Sequence, residues 1–252
     1  MNTGNFRKMR ALVALMAVGV LSGCVADRAQ EADPLEDVNR VFYNINDSLD
    51  RHFIKPVAQS YSNVVPKGVR SGVTNFFDNV GYLNVILNDI LQGKIVQALQ
   101  DTARVALNTT VGIGGLYDAA TPSGFPKHDE DTGQTLGAWG FGEGMYLVLP
   151  LRGPNSLRDA PDLATSAVLN PLFYVSSMAI TFPVGALSAI NHRANLLEAT
   201  RIRDEAALDP YSFTREAYRQ NRVFKIYDGN PPTQALDEDY YEEGETGVLK
   251  VY

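Results

Sequence analysis

The sequence predicts an all-α fold, on three observations. Apolar residues recur at three- and four-residue spacings over several long stretches, alternating strand patterns are scarce, and Asp-Pro pairs at 33–34 and 209–210 stand where two of those stretches begin.

The N-terminus comes first. Arg7, Lys8 and Arg10 form a basic region ahead of Ala11–Leu21, an uncharged run of 11 residues. A helix needs about 20 residues to span a bilayer core, so this run is expected to be a signal peptide. It leads into Leu21-Ser22-Gly23-Cys24, which holds the only cysteine of the chain. That tetrapeptide resembles a bacterial lipobox, in which the thiol receives a diacylglycerol, the signal is removed and the new amine is acylated. The rival reading is an ordinary secretory signal with a chance cysteine. Each buried methylene of an acyl chain adds about 0.8 kcal/mol of membrane affinity, so several chains on Cys24 would anchor the protein stably. Val25 and Ala26 follow with no Asp, and in lipoproteins this pattern implies export to the outer membrane.

Removing residues 1–23 takes three cations and no acid from a chain of 22 basic and 29 acidic side chains, leaving a net charge near −10. Nucleic acid is an unsuitable partner for such a surface. With its one thiol committed to lipid, the mature chain has none left for a disulfide or a thiolate metal site. A hydrophobic content of 45% supports one sizeable core. The expected organisation is a signal peptide over 1–23, a small polar tether over 24–32, a helical domain over 33–228 and an acidic tail over 229–252.

Asp33 and Pro34 are suited to cap and open a helix in which Val38, Phe42, Ile45, Leu49 and Phe53 share one face, ending near Lys55-Pro56. From Gly68 to Gly93 the pattern is helical in pieces separated at Gly81 and Gly93, with Val73, Phe76, Phe77, Val80, Leu83, Ile86, Leu87, Ile90 and Leu91 as apolar faces. Ile95, Leu99, Ala103, Ala106 and Thr110 share a side of the next helix. Met145–Leu149 is the one short extended piece, and Asn195–Leu208 is a charged amphipathic helix. Asp209-Pro210 repeats the capping arrangement of Asp33-Pro34.

Between Gly112 and Gly153 the chain is rich in glycine and in large apolar residues such as Ile113, Leu116, Trp139 and Phe141. Such a segment either packs its backbone against another surface, lipid being one, or forms turns over the core. Leu163–Ile190 contains no Asp, Glu, Lys or Arg, but Pro171 and Pro183 interrupt it. The pattern suits a helix pair broken at the prolines, held either in the core or partly immersed at the headgroup and acyl boundary. The acidic, Pro-containing tail is expected to be disordered and solvated.

Signals for catalysis are weak. His52, His128 and His192 stand in no zinc-binding spacing, and there is no Gly-x-Ser-x-Gly elbow. His128-Asp129-Glu130-Asp131 misses the EF-hand register and is expected to be a solvated acidic loop. No catalytic residue, metal site or cofactor is assigned. A lipoprotein hydrolase would need an activated nucleophile beside one of the histidines. A passive scaffold is the other alternative.

Several segments together resemble the VacJ or MlaA family of outer-membrane lipoproteins. They are Asp33-Pro34-Leu35-Glu36 with Asn39-Arg40 and Asn44, then Asp101-Thr102-Ala103-Arg104 running into Asn108–Leu116 and Asp118. Gly133–Gly137, Trp139-Gly140, Gly142, Gly144, Tyr146, Leu149-Pro150, Gly153-Pro154 and Arg158-Asp159 continue the series, and Leu208–Tyr211 with Arg215, Ala217-Tyr218, Gln220 and Arg222 ends it. The resemblance spans residues 33–226. It implies a ring-like single domain of amphipathic helices with a glycine-rich hairpin segment, embedded in one membrane leaflet and pierced by an amphipathic channel. By the same resemblance, phospholipids misplaced in the outer leaflet pass through the channel to a soluble periplasmic carrier and then to an inner-membrane ABC transporter. Trimeric porins are the implied partners, and no nucleotide is consumed at this subunit. Within that frame Asn39, Asn44, Asn46 and Asn108 are candidates for lining the channel. Gly112, Gly114, Gly115, Leu116 and Tyr117 are candidates for a gating segment, and Arg158-Asp159 is expected to be a structural pair.

Overall fold

The computed structural model describes residues 33–232. The signal peptide, Cys24, the tether and the acidic tail from residue 233 lie outside the described residues.

The carboxylate of Asp33 accepts the backbone N–H of Leu35 at 3.1 Å, and helix α1 runs over Glu36–Leu49. The expected stop near Lys55-Pro56 is not there. The chain winds through a π-helical turn, Asp50–Ile54, straight into α2, Lys55–Val64. Pro56 has no N–H to donate, and the wider winding ahead of it accommodates that loss without ending the helix.

Helix α3, Lys67–Leu91, passes unbroken through Gly81, correcting the expectation of separate pieces. One glycine in a helix interior costs about 1 kcal/mol, and the contacts of α3 with four other helices outweigh it. The helix does stop at Gly93, whose φ is +77°. Helix α4, Ile95–Thr110, packs along α3, and the short α5 covers Thr132–Ala138.

The extended piece appears as β1, Tyr146–Leu149. It pairs antiparallel with β2, Gly153–Ser156, so that Tyr146 faces Ser156 and Leu149 faces Gly153. Helix α6 (Asp162–Leu169) and a 3₁₀ turn (Pro171–Tyr174) precede α7 (Met178–Asn195). Pro171 breaks the uncharged run as expected, whereas Pro183 lies inside α7, where packing on α2 and α3 offsets the one bond it removes. Helix α8 is Leu197–Ala206. Helix α9 is Pro210–Ile226, and the Asp209 side chain caps it by accepting the Tyr211 N–H at 3.1 Å.

The fold is therefore mostly helical, with one two-stranded sheet among the described residues. Its packing contacts form a closed circuit: α1 on β1, β2 on α9, α9 on α5, α5 on α3, α3 on α7, α7 on α2, and α2 back through the π turn to α1. Among the described residues no helix is long and apolar enough to cross a membrane.

Polarity runs opposite to that of an ordinary globular domain. Among the described residues the buried apolar ones are small or aromatic, namely five alanines, three tyrosines and Val148. Buried polar residues are more numerous and include Asn88, Asp89, Asp101, Arg104, Gln134, Asp159 and Arg222. On α4 the expected apolar side turns outward at Ile95 and Leu99, and on α3 Leu83, Ile90 and Leu91 are exposed while the other expected apolar residues are half-buried; Asn84, Asn88, Asp101 and Asn108 point in. Periodicity reveals that a helix has two faces but not which one is inside. Here the inner partners are polar groups on neighbouring elements.

Candidate functional site

The inner wall includes three polar clusters that tie elements far apart in sequence. The first is centred on Arg222 of α9. Its guanidinium bonds both carboxylate oxygens of Asp131 at 2.6 and 2.8 Å and also reaches Asp159. Asp131 in turn caps α5 by accepting the Gln134 N–H at 2.8 Å. Burial opposes ionisation of Asp131, but the bonds and charge of Arg222 win and hold its pKa down at about 2. The Tyr218 hydroxyl donates to Asp159, and Arg158 pairs with the same carboxylate at 3.1 Å, a structural pair as expected.

The second cluster fastens the β hairpin to α1. Asn39 is 2% exposed, donates to the Tyr146 carbonyl at 2.9 Å and accepts the Val148 N–H at 2.8 Å. Two turns along, Asn46 donates to the Leu149 carbonyl and accepts the Leu151 N–H, both at 2.8 Å. The two amides stand in for a third strand along β1. Arg40, between them in sequence, forks onto Asp209 and lies 4.4 Å from the centre of the Tyr211 ring. Asn44 is exposed.

The third cluster joins α3, α4 and the segment before α5. Thr135 donates to Asn88 at 2.7 Å, Lys94 pairs with Glu130 at 2.7 Å, and His128 meets Asp101 at 3.1 Å. Glu130 is buried and Asp131 is a helix cap, so the solvated loop expected here is instead folded into the wall. Lys94 and Arg222 supply the opposite charges that make this burial possible. Asp89 lies fully buried beside Asp101, and burial first, then the bond and charge of that neighbour, push its pKa up to about 7.

The glycine segment follows directly from α4. Asn108 donates to Asp118 at 3.2 Å and accepts the Ala120 N–H at 3.0 Å, while Arg104 pairs with Asp118 at 2.7 Å. Between those anchors Gly112–Tyr117 is a tightly wound turn rather than a strand hairpin. Gly114 donates to Thr109 at 2.9 Å, Gly115 to Asn108 at 2.8 Å and Tyr117 to Gly112 at 2.9 Å. A Cβ on Gly112 would sit 2.1 Å from the Tyr117 carbonyl oxygen, so only glycine allows this winding. The turn presents Val111, Ile113, Leu116 and Tyr117 to the outside.

Thus the asparagines singled out from sequence occupy three places. Asn39 and Asn46 hold the hairpin, Asn108 holds the glycine turn, and Asn44 alone of the four is exposed. Sequence reasoning did not identify the charged cluster of Asp131, Asp159 and Arg222. Asp131 with Gln134 three residues on has the spacing of a helix-capping pair, a signal that was available for its first member.

Outside the wall, large apolar side chains face away from the protein on several elements: Val96 and Leu99 on α4, Phe173 and Tyr174 in the 3₁₀ turn, and Met178, Ile180 and Phe182 on α7. Phe182 is 73% exposed and Met178 75%. Of the histidines, His52 is exposed and spends Nδ1 on the Ser48 carbonyl at 2.7 Å within its own helix.

The model of the MlaA lipoprotein family matches residues 31–225. The chain is 34% identical over 92% of its length to the intermembrane phospholipid transport system lipoprotein MlaA of Escherichia coli (strain K12), covering 97% of that protein. It is 30% identical, with the same two coverages of 92% and 97%, to the protein of that name from Haemophilus influenzae. A solved structure described as "Structural basis for maintenance of bacterial outer membrane lipid asymmetry" superposes with a TM-score of 0.68 at 31% identity, over 77% of this chain and 99% of that one. On the family match over residues 31–225 and these identities over nearly the whole chain, this chain belongs to the MlaA lipoprotein family.

Proposed function

We propose that this protein is an outer-membrane lipoprotein of an intermembrane phospholipid transport system, which removes misplaced phospholipids from the outer leaflet and so maintains lipid asymmetry. The observation that carries the reading is the reversal of polarity. Burying polar groups in a bonded wall and exposing large apolar side chains is unfavourable in water, and it becomes favourable where the surrounding solvent is acyl chains. Such a ring, in which none of the described helices is long and apolar enough to span a bilayer, suits a position in the periplasmic leaflet with the anchor at Cys24 and residues 24–32 as its tether.

In this reading the polar interior forms part of an amphipathic passage. Asn44 faces it, Asn39, Asn46 and Asn108 hold its wall in shape, and Gly112, Gly114, Gly115, Leu116 and Tyr117 form the gate. Lipid leaves to a soluble periplasmic carrier that serves an inner-membrane ABC transporter, and a trimeric porin holds the ring in place. The protein's own part is passage of an intact lipid, without a chemical step.

The test is the amount of phospholipid exposed at the cell surface. Deletion of the gene raises it, the wild-type gene restores it, and the Cys24→Ala form does not. Unaltered surface phospholipid after deletion contradicts the reading.

A further inference from the structure

Almost every cation among the described residues is matched to an acid. The exceptions are Lys67, Arg70 and Arg152, for which no acidic partner lies within 4.0 Å. Two of these three share one place. Lys67, Arg70, Ser71, Thr74 and Asn75 from the first turns of α3, with Asn195 from the end of α7, line a cavity of about 320 Å³ that contains no Asp or Glu. In a chain of net charge −7, an acid-free pocket holding two unmatched cations is unusual.

The cavity is rich in donors. The Nε of Arg70 is buried and has no hydrogen-bond partner. Thr74 anchors the back of the cavity, accepting Asn191 at 2.7 Å and Asn195 at 3.1 Å while donating to the Arg70 carbonyl at 3.1 Å. That leaves the ammonium, guanidinium, hydroxyl and amide groups of Lys67, Arg70, Ser71 and Asn75 to face a ligand made of acceptors. A phosphate group is such a ligand, and a guanidinium beside an ammonium matches its geometry and charge. Of the ligands that carry a phosphate, a glycerophospholipid is the one that the transport reading supplies.

We infer that Lys67 and Arg70 form a binding subsite for the phosphodiester of a glycerophospholipid. The inference rests on the transport reading and deepens it by naming the group that the protein recognises.

The experiment uses the mature full-length lipoprotein in neutral detergent micelles and measures equilibrium binding of fluorescent phosphatidylglycerol, with fluorescent diacylglycerol and inorganic phosphate as comparison probes. Wild type is expected to bind phosphatidylglycerol in preference to diacylglycerol. Lys67→Gln, an exposed change that leaves the fold alone, weakens binding about tenfold, the scale of one charge-assisted hydrogen bond. Lys67→Gln with Arg70→Gln weakens it further, Lys67→Arg keeps it, and Arg152→Gln does not alter it. Equal binding by wild type and Lys67→Gln, with phosphatidylglycerol still preferred, overturns the subsite while leaving the transport reading standing. Tight binding of inorganic phosphate without phosphatidylglycerol overturns the lipid assignment. Absence of any phospholipid binding by wild type overturns both.

Discussion

The backbone of Gly133 passes so close to Asp159 that a Cβ added there would lie 2.2 Å from the carboxylate and 2.6 Å from the Arg222 guanidinium. The first turn of α5 can approach the charged cluster only because residue 133 has no side chain. Gly133→Ala is therefore expected to push the Asp159–Arg222 pair apart and lower stability by about 1–3 kcal/mol, the usual cost of overpacking. Gly142→Ala, where nothing lies within 4 Å of the new carbon, serves as the control and should change little. Chemical denaturation in detergent checks both, and equal midpoints would remove the steric argument.

Asn39 serves β1 as an edge partner, so Asn39→Ala should strand the Tyr146 carbonyl and the Val148 N–H. The cost of a buried group left unpaired is about 1–3 kcal/mol. Asn44→Ala on the exposed side of α1 should leave stability unaltered. If the two variants lose stability equally, the amide of Asn39 is not holding the hairpin.

Asp89 gives a pH dependence whose sign is fixed by its raised pKa. An unfolded aspartate titrates near 3.8, and burial beside Asp101 moves the folded value to about 7. The folded protein then holds the extra proton between those values, so this group's contribution is complete below pH 3.8 and is lost as pH rises toward 7. Asp131 works in the other direction, because its folded value of about 2 gives stability that is present above 3.8 and lost on acidification. Asp89→Asn should flatten the decline between pH 4 and 7 and leave the acid limb in place. An unchanged profile would show that Asp89 is not protonated in the fold.

Gly114 has a φ of +68° and donates its N–H to Thr109. Proline there would lose both features and unwind the turn, so alanine is the informative change. Nothing lies within 4 Å of its Cβ position, leaving only the left-handed backbone, a cost of about 1–2 kcal/mol. If the turn gates lipid, Gly114→Ala should raise surface phospholipid in cells while the protein remains folded and acylated. Normal asymmetry in such cells counts against the gate.

Much of the fold was legible because helix boundaries are written locally. Asp209-Pro210 marks the start of α9, Gly93 the end of α3, and Tyr146–Leu149 carries its strand pattern openly. The sequence Gly153-Pro154-Asn155-Ser156 carries none, and β2 exists because the turn at Leu151 brings it back beside β1. The continuity of the helix across Pro56 was hidden because a π turn leaves no periodic trace. For the site, the amphipathic helices were visible but their orientation was not, since Leu99 and Asp101 are equally strong signals and only the partners of Asp101 decide which turns inward. Arg222, Asp131 and Asp159 come from distant segments, and no local pattern brings them together.

The central claim is that the outward apolar residues are solvated by lipid. The sequence has one cysteine, Cys24, the proposed anchor site, so nitroxide labels can be placed singly at Phe182→Cys, Ile113→Cys and Glu198→Cys in the mature lipoprotein reconstituted into bilayers. Collision rates with oxygen should exceed those with a water-soluble nickel complex at 182 and 113, and the order should reverse at 198. Three labels equally open to the nickel complex would place the apolar exterior in water and contradict the account.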